Sequence, residues 1–444
     1  MIVLKTSKSS GLTKYQKLST LYKVNSTPYS MYRLTLLVAV CFFSTLAANA
    51  QSDPTYKNYL RKHSPTIQRE ASDKMYHFSF LKKQLKGHRI VAIGEFNHGS
   101  SEIFKLKNKL IQYLHQELDY DVVLFESGIG EMLLPNYSRD TLSARRMIYS
   151  LVGPWRTRSH VPLMDLVRNS PKLAIGGFDV QKSGGAFSRV VRPIAKQIEN
   201  GTGIDLMALE ERNDKLRKLL NGRELTDEIS SSRKNVLKDY KQVLSFLTTS
   251  PIQGSGEIPL KLITQTIRNR TAYIDYRYDF LKDKDWNKRW LKRDSLMAEN
   301  VRFFTEEIYP DKKVVILAHN FHIAKHNPKE EVMGEYLQTM LKEDIYTIGL
   351  YAANGSYANN SRQERMLSAS EGPGDIKHYI NLQPDEVQFL NIPDSKKKGI
   401  EWIFENIIIN DTFNDLSSSK TVDLAKWFDG LIFLKTVSPA IYKF

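Results

Sequence analysis

The feature that most constrains the fold is a pattern that occurs four times: a short apolar run that ends on a polar, chemically reactive side chain. The four runs are Arg89–Gly94 before Glu95, Asp121–Phe125 before Glu126, Leu173–Phe178 before Asp179, and Lys313–Ala318 before His319. Runs of this length and composition are typical of buried strands. In an open parallel sheet, ligands bind beyond the carboxyl ends of the strands, where all four polar groups stand. The pattern therefore predicts an α/β fold with a site at one edge of the sheet.

The segments between these strands indicate a mostly parallel central sheet flanked by helices. A helical pattern separates the first two runs, so they form a βαβ unit in which both strands point the same way. Ile345–Tyr351 and Gly430–Lys435 are two further strand candidates. Residues from about 190 to 309 are highly charged with helical spacing, which predicts a mainly helical insertion that forms one wall of a cleft. The polar stretches Ser356–Pro373 and Pro384–Lys398 are expected to be loops.

Residues 1–50 have the pattern of an N-terminal extension with a cleavable signal peptide. A basic stretch without acids leads into the apolar run Leu34–Leu46, which is too short to span a membrane, and Ala48–Ala50 supplies a small-residue cleavage site. We expect cleavage after Ala50 and a mature domain over residues 51–444 that is secreted or periplasmic. Met31 is a candidate initiator. The single cysteine, Cys41, lies inside the signal segment, so the mature chain forms no disulfide.

The charge of the chain gives no sign of nucleic-acid binding. The formal net charge is +15 at pH 7, and loss of residues 1–50 removes six basic side chains and no acid. The remaining excess is spread along the chain and forms no nucleic-acid motif, so we expect no nucleic-acid partner. After removal of the signal we also expect no integral membrane span.

Glu95 and His98 are the leading candidates for chemistry, because they lie three residues apart just after a predicted strand. A carboxylate beside an imidazole orients the ring and keeps it available as a general base. The alternative is a capping turn in which Ser100 or Ser101 begins the next helix. A serine hydrolase is disfavoured because the chain has no Gly-x-Ser-x-Gly elbow, and the mature chain has no cysteine nucleophile. What remains is activation of water by a histidine, with or without a bound metal.

Other polar residues near the strand ends are further candidates for the site. They are Glu126, Asp179, Gln181, His319, Asn320 and His322, and Trp155 is a candidate stacking surface for the substrate. The spacing in HNFH differs from that of the helical zinc pair HExxH, and neither a phosphate-binding glycine loop nor a dinucleotide fingerprint occurs. Structural roles remain open alternatives: the histidines can satisfy backbone groups at strand ends, and the acids can pair with Lys107 or with helix N-termini.

Five ordered segments resemble the erythromycin esterase family. IGEFNHGSSEIFKLKNKLIQYL is similar to the GE-x-x-HG segment of that family, and LFES, GGFDVQ, RDSLMAEN and LAHNFHIAK, with MGEYL after it, match its later blocks. The resemblance covers about Ile90 to Tyr351. It implies an α/β core flanked by helices, with a deep cleft in which a histidine activates water to hydrolyse a macrolide lactone.

The resemblance also implies roles for particular residues. His98 is the base and Glu95 is its partner. Glu126, His319 and His322 line the cleft, and Arg293 and Asp294 open the helix-borne RD-x-x-MA-x-N block. Lys107 stands where family members usually have an arginine, so the charge is kept but the bidentate geometry is lost. We expect Lys107 to contact the substrate and macrolides to be cleaved poorly.

Together these patterns predict an exported hydrolase that cleaves a small-molecule ester with a water activated by His98. We expect no cofactor and no tightly bound metal, because the motif histidines come with carboxylates better placed to hold imidazoles than to complete a ligand set. Two alternatives remain open: a non-enzymatic protein that binds haem or a metal through its histidines, and a metal-dependent hydrolase of other substrates. The metal content of the purified protein would separate them.

Overall fold

A mostly parallel β-sheet forms the centre of the fold in a computed structural model of the chain. The structure describes residues 54–67, 77–222, 224–250, 252, 258–327, 330–409 and 420–443, and for residues 286–291, 343 and 420 only the backbone. The predicted signal peptide lies outside the described residues. Those described belong to one compact unit, Asp53–Phe444.

Ten strands are present in the described part of the chain. They are β1 Ile90–Ile93, β2 Val122–Gly128, β3 Ala174–Asp179, β4 Val314–Leu317, β5 Ile345–Ala358, β6 Glu364–Met366, β7 Val387–Asn391, β8 Asn406–Ile409, β9 Lys420–Asp423 and β10 Gly430–Val437. The main sheet has the order β3-β2-β4-β1-β5-β10-β7, and β6 pairs with β5. All neighbours are parallel except β7 with β10 and β6 with β5. Strands β8 and β9 form a separate antiparallel pair.

Helices alternate with the strands and cover the sheet. They are α1 Pro54–His63, α2 Leu81–Gln84, α3 Ser101–Leu118, α4 Leu133–Tyr137, α5 Ala144–Met147, α6 Val161–Asn169, α7 Phe187–Thr202, α8 Leu206–Leu220, α9 Asp227–Thr249, α10 Leu260–Asp283, α11 Trp286–Phe303, α12 Asn320–Ile323, α13 Met333–Leu341, α14 Ile376–Leu382 and α15 Leu424–Trp427. Single 3-10 turns occur at Ile148–Ser150, Gly153–Trp155, Arg158–His160, Lys342–Asp344 and Glu401–Phe404, and a π-turn at Phe304–Ile308. No helix among the described residues has the length and apolarity needed to cross a membrane.

The predicted fold class is confirmed. Every residue of β1, β2 and β4 is buried, as expected for parallel strands with helices on both faces. Helices α7 to α11 occupy the interval between β3 and β4 where the charged, helical pattern occurs. Local signals fix their ends: the side chain of Asp205 caps α8, that of Thr226 caps α9, and Gly203 closes α7 in the left-handed conformation.

Two stretches expected to be loops contain strands instead. Strand β5 continues to Ala358 and turns back as β6, and β7 lies inside the second stretch as the antiparallel edge of the sheet. Both expectations were wrong because a polar composition also suits an exposed hairpin strand or a strand at the edge of a sheet. The three residues of β6 are exposed, and β7 has only three buried residues, so neither shows the apolar run typical of a central strand.

Candidate active site

The carboxyl ends of β3, β2, β4 and β1 bring the predicted polar groups to one edge of the sheet. These four strands are neighbours and run parallel. The backbone N–H of His319, just after β4, donates to Glu126 Oε2 at 3.0 Å. The next N–H, of Asn320, donates to the carbonyl oxygen of Glu95 at 2.8 Å. Residues at the carboxyl ends of three different strands are therefore in direct contact.

Glu95 and His98 form a close pair just after β1. His98 Nδ1 lies 2.7 Å from Glu95 Oε1. The carboxylate is completely buried, whereas the imidazole is 13% exposed. Among the described residues, no group forms a hydrogen bond with His98 Nε2. The ring is thus held at one nitrogen and open at the other.

Two further donors hold the Glu95 carboxylate. Trp155 Nε1 donates to Oε1 at 2.6 Å, and Lys107 Nζ donates to Oε2 at 2.7 Å. Burial by itself raises the pKa of Glu95, but the Lys107 ammonium and the hydrogen bond from His98 outweigh it, and the pKa lies below the ordinary value. Glu95 is therefore ionised at neutral pH and can only accept hydrogen bonds.

The ionised state of Glu95 decides the tautomer of His98. An acceptor at Oε1 requires the proton on Nδ1, so Nε2 carries the lone pair of the neutral ring. Trp155 Nε1 also lies 3.3 Å from His98 Nδ1, but a protonated Nδ1 does not accept, and the shorter contact to Glu95 is the hydrogen bond. His98 is consequently prepared to take a proton at Nε2.

Trp155 and Lys107 are both buried beside the Glu95 carboxylate. The indole is 1% exposed and packs against Phe125, His160 and the Lys107 ammonium, which lies 5.0 Å from the ring centroid. Its faces are therefore covered, and the structure gives it the position of a donor to Glu95 rather than of a stacking surface. Lys107 is 3% exposed and ion-paired with Glu95. A direct contact between Lys107 and substrate stays a prediction.

His319 lies beside His98 but has both ring nitrogens engaged. Nε2 lies 3.1 Å from the carbonyl oxygen of Phe96, to which it donates, and Nδ1 accepts from the N–H of Phe321 at 3.2 Å. Burial and the neighbouring rings of His98 and His322 lower the pKa of His319 to about 3. The neutral ring forms a wall of the site and caps the short helix α12.

Arg293 of α11 joins the acids at the carboxyl ends of β2 and β3. Its Nη2 lies 3.0 Å from Glu126 Oε1 and 2.8 Å from Asp179 Oδ2, and its Nε lies 3.2 Å from Asp179 Oδ1. The Gln181 amide oxygen, in the orientation that satisfies its neighbours, accepts from Nε at 2.6 Å. Although burial raises the pKa of Glu126, His322 and Arg293 lower it far below the ordinary value. Arg293 thus fixes the helical wall to the sheet edge.

His322 and Asp294 form a second histidine–carboxylate pair within this network. His322 Nδ1 lies 2.8 Å from Asp294 Oδ2, which also accepts from the N–H of Met333. His322 Nε2 faces Arg293 Nη1 at 3.0 Å and Glu126 Oε1 at 3.4 Å. Burial lowers the pKa of His322, but Asp294 and Glu126 outweigh it, and the net shift is upward. Both His322 and Asp294 are inaccessible to solvent, so this pair supports the wall and does not face an open site.

Asn320 connects two strands across the end of β1. Its Nδ2 donates to the carbonyl of Leu350 at 2.9 Å, and its Oδ1 accepts from the N–H of the same residue at 3.2 Å. The side chain passes over Gly94, where an added Cβ would lie 2.0 Å from Asn320 Oδ1. Gly94 is therefore required by this close approach, and the amide atoms of Asn320 are both in use. A substrate contact for Asn320 stays a prediction.

Apart from His98 Nε2 and Asp294 Oδ1, the side-chain polar atoms of these acids and histidines form hydrogen bonds or ion pairs with other described protein groups. Among the described residues, no group of three or more His, Cys, Asp or Glu side chains is arranged to hold a metal ion. Several groups in or next to the site carried no sequence signal: the carbonyl of Phe96, the ring of His160, and three residues of neighbouring segments, Arg156, Arg362 and Tyr442.

Fold and site together define a class of α/β protein in which a carboxylate-held histidine stands at the carboxyl edge of a parallel sheet. The chain belongs to the erythromycin esterase family, because the model of that family, described as erythromycin esterase, matches residues 115–437. The resemblance expected from the sequence motifs is confirmed, and the protein is a hydrolase.

Three known proteins are similar to this chain. "Putative hydrolase YbfO" of Bacillus subtilis (strain 168) is 27% identical, over 92% of this chain and 97% of its own length. Erythromycin esterase type II of Escherichia coli is 21% identical, over 86% of this chain and 98% of its own length. A crystal structure of a Bacillus cereus protein, 21% identical, matches with a TM-score of 0.71 over 88% of this chain and 98% of its own. The last comparison bears on the fold alone.

Proposed function

We propose that the protein hydrolyses a carboxylic ester, with His98 as the general base that activates water. The observation that carries this proposal is the Glu95–His98 pair, in which a buried ionised carboxylate 2.7 Å from Nδ1 leaves Nε2 as the basic nitrogen. His98 is also the partly exposed member of the histidines at this sheet edge, since His319 and His322 are fully buried.

The proposed reaction consists of two proton transfers through His98. Nε2 of His98 takes a proton from water as the oxygen attacks the ester carbonyl, and Glu95 stabilises the imidazolium that forms. The tetrahedral intermediate then expels the alcohol oxygen, which receives the proton from Nε2. Ester and water become acid and alcohol, and His98 returns to its neutral tautomer. Lys107 and Trp155 keep Glu95 ionised and fixed throughout.

The names of the relatives suggest the first substrates to test. A macrolide lactone is a cyclic ester, and erythromycin esterase type II bears that substrate in its name. Lys107 leads us to expect weaker cleavage of macrolides than of another ester. If this position contacts the substrate, a single ammonium is a less preorganised partner for its negative charge than the guanidinium of an arginine. Antibiotic resistance through macrolide hydrolysis would follow only if such cleavage is efficient.

The proposed enzyme is exported and acts in the periplasm or outside the cell. The apolar run and the small-residue site that end at Ala50 support this proposal. Mass spectrometry of the exported protein should give Gln51 as the first residue. Retention of residues 31–50 would contradict both the signal peptide and the localisation.

A panel of simple esters and macrolides assayed with His98→Ala tests the catalytic proposal. We expect at least about a hundredfold loss in kcat with an unchanged unfolding temperature, the usual effect of removing a general base. His326→Ala is the matched control, because His326 forms a similar pair with Glu335 at 2.8 Å on the surface. A near wild-type rate in His98→Ala would show that His98 is not the base.

A chelator experiment separates this proposal from the metal-dependent alternative. We expect hydrolysis to survive dialysis against a chelator, because the motif side chains are already bonded to one another. Loss of activity that zinc or manganese restores would favour a metal hydrolase.

A further inference from the structure

Three chain segments, which we call the rim, meet at Gly99, directly after His98. The Gly99 carbonyl accepts from Ala358 N at 3.0 Å, at the end of β5, and from Ala440 N at 2.8 Å, just beyond β10. The N–H of Arg158 donates to the carbonyl of Ile441 at 2.8 Å, which ties the C-terminal segment to the loop that carries Trp155. All three segments are therefore tied, directly or through the C-terminal segment, to the loop that carries His98.

Arg362 stands at the tip of the β5–β6 hairpin on this rim. A tight turn holds it: its N–H donates to Asn359 O at 2.7 Å, and Asn359 N donates to Gln363 O at 2.8 Å. Its guanidinium carbon lies 4.8 Å from the ring centroid of Tyr442, which supports the charge by a cation–π contact. The turn thus holds the backbone of Arg362, and the contact with Tyr442 holds its guanidinium group.

The backbone of Arg362 is unusual for its residue type. Among the described residues other than glycine, four have positive φ, and Asp119, Lys284 and Lys342 do so where they close helices. Arg362 has φ of 64° in a hairpin, a conformation that glycine or asparagine adopts at lower cost. Such strain in a non-glycine residue is characteristic of places where the side chain is needed.

Arg156 supplies a second cation on the same rim. Its Nε donates to the carbonyl of Leu151 at 2.9 Å and its Nη2 to that of Ser183, so the guanidinium is fixed. Burial lowers the pKa of Arg156 and the nearby charge of Arg362 lowers it further. The acid whose charge acts on Arg156, Glu131, is itself paired with Arg270 at 2.7 Å.

Neither guanidinium group forms an ion pair with a residue that the structure describes. Among the described residues, Arg362 forms no ion pair, and the side-chain bonds of Arg156 go only to neutral carbonyls. The hydroxyl of Tyr442 is buried and has no hydrogen-bond partner there. The like charges of Arg362 and Arg156 repel each other, and an anion between them would offset that repulsion.

We propose that Arg362 and Arg156 form an anion subsite at the mouth of the His98 site, so that the preferred substrate is an ester that also carries a carboxylate or similar oxyanion. This inference rests on the proposed esterase function. It adds a substrate class, because Arg362 and Arg156 would hold the charged end while His98 attacks the ester carbon through water.

Matched substrates test the subsite by catalysis. Monophenyl adipate carries a carboxylate, and the corresponding phenyl ester of adipic monoamide is its neutral counterpart. The quantity measured is the acid-to-amide ratio, which is kcat/KM for the acid divided by kcat/KM for the amide. We expect Arg362→Gln to lower this ratio about tenfold and Arg362→Lys to lower it less. High salt should lower the ratio of the wild-type protein. Arg362→Gly, which relieves the strained backbone, should lower the ratio without lowering the unfolding temperature. Arg302→Gln, at an arginine paired with Glu299 and Glu306 on α11, should leave the ratio unchanged.

A binding measurement separates failure of the subsite from failure of the esterase proposal. With His98→Ala protein, calorimetric titration should show 4-phenylbutyrate binding at least fivefold more tightly than 4-phenylbutyramide, and Arg362→Gln in the same background should abolish the difference. Hydrolysis of both phenyl esters with an unchanged ratio in Arg362→Gln would overturn the subsite alone. If neither ester is hydrolysed but the acid still binds preferentially, the subsite stands and the esterase proposal fails. Equal binding of acid and amide overturns the subsite.

Discussion

His98 and His319 face each other edge to face, with ring centroids 5.2 Å apart and planes inclined by 67°, yet their hydrogen bonds give them opposite chemical characters. His319 uses both nitrogens on backbone groups. His98 uses one nitrogen on a carboxylate and keeps the other for chemistry. The neutral ring of His319 thus borders the base without sharing its proton.

Trp155→Phe should slow hydrolysis about tenfold. The substitution keeps an aromatic ring in the buried position but removes the 2.6 Å hydrogen bond to Glu95, and a bond to a charged group contributes about 1.5–3 kcal/mol. The measurement is kcat/KM on the best ester, well below the unfolding temperature. Trp427→Phe is the control, since Trp427 of α15 is similarly buried but packs against Phe428. Equal rates for the two variants would mean that the indole has no part in orienting the pair.

Lys107→Met should lower both stability and turnover. It leaves the buried Glu95 without its ammonium, which costs about 3–5 kcal/mol for a broken buried pair and lets burial raise the pKa of the carboxyl. A protonated Glu95 no longer fixes the tautomer of His98, so we expect a loss of rate on the order of a hundredfold. Urea unfolding and steady-state kinetics give the two quantities.

Lys377→Met is the matched control for Lys107→Met. Lys377 is also buried and lies 3.3 Å from Asp375, but it belongs to α14, away from the site. This variant should lose stability and keep its rate. If both lysine variants lose turnover in proportion to stability, the charge of Lys107 has no specific role in catalysis.

The His322–Asp294 pair should make stability depend on pH. Because the folded protein raises the pKa of His322, the protonated ring stabilises the fold below the ordinary value of about 6.5, and this contribution is lost as pH rises through the raised value. Asp294→Asn removes the charge that favours protonation. Urea unfolding should therefore show a stability difference between wild type and Asp294→Asn that is larger at about pH 6 than at about pH 9.

Asp375→Asn provides the comparison for this pH dependence. The ion pair of Asp375 is with a lysine and not with a histidine. The loss of stability caused by Asp375→Asn should therefore stay constant over the same pH range. If the stability difference between wild type and Asp294→Asn is also constant over this pH range, His322 does not change its protonation within it.

Gly94 and Asn320 should show strong coupling in a double-mutant cycle. Asn320→Ala leaves both backbone groups of Leu350 without their side-chain partner, at a cost of about 1–3 kcal/mol. Gly94→Ala places a methyl group against Asn320 Oδ1 and should be the more harmful change. In the double variant that collision is removed, so its loss of unfolding free energy should be smaller than the sum of the single losses. Additive losses would contradict the close approach.

The arrangement of the sheet edge could be predicted because its signals are local. Each of the first four strands is a short apolar run with a polar residue after it, and parallel pairing then places those residues together. The Glu95–His98 pair is separated by only three positions, so its contact depends little on distant parts of the chain. The helical wall was predictable from charge and spacing.

The detailed roles of side chains could not be read in this way, because partners far apart in sequence decide them. His319 resembles a catalytic residue in the HNFH motif, but the Phe96 carbonyl occupies its ring. Trp155 became a donor because Glu95, sixty positions away, accepts from it. Arg362 and Tyr442 meet through the hairpin that was expected to be a loop, and no spacing rule joins them.

The position of β1 has a consequence for how the molecule would lose function on heating. Strand β1 lies in the interior of the sheet between β4 and β5, and Glu95 and His98 leave directly from its end. Interior strands exchange their amide hydrogens only when the whole fold opens, whereas an exposed hairpin such as that of β6 opens locally at much lower free energy. The hairpin of β5 and β6 carries Arg362 of the proposed anion subsite. Selectivity among substrates should therefore weaken at temperatures where the Glu95–His98 pair is still intact.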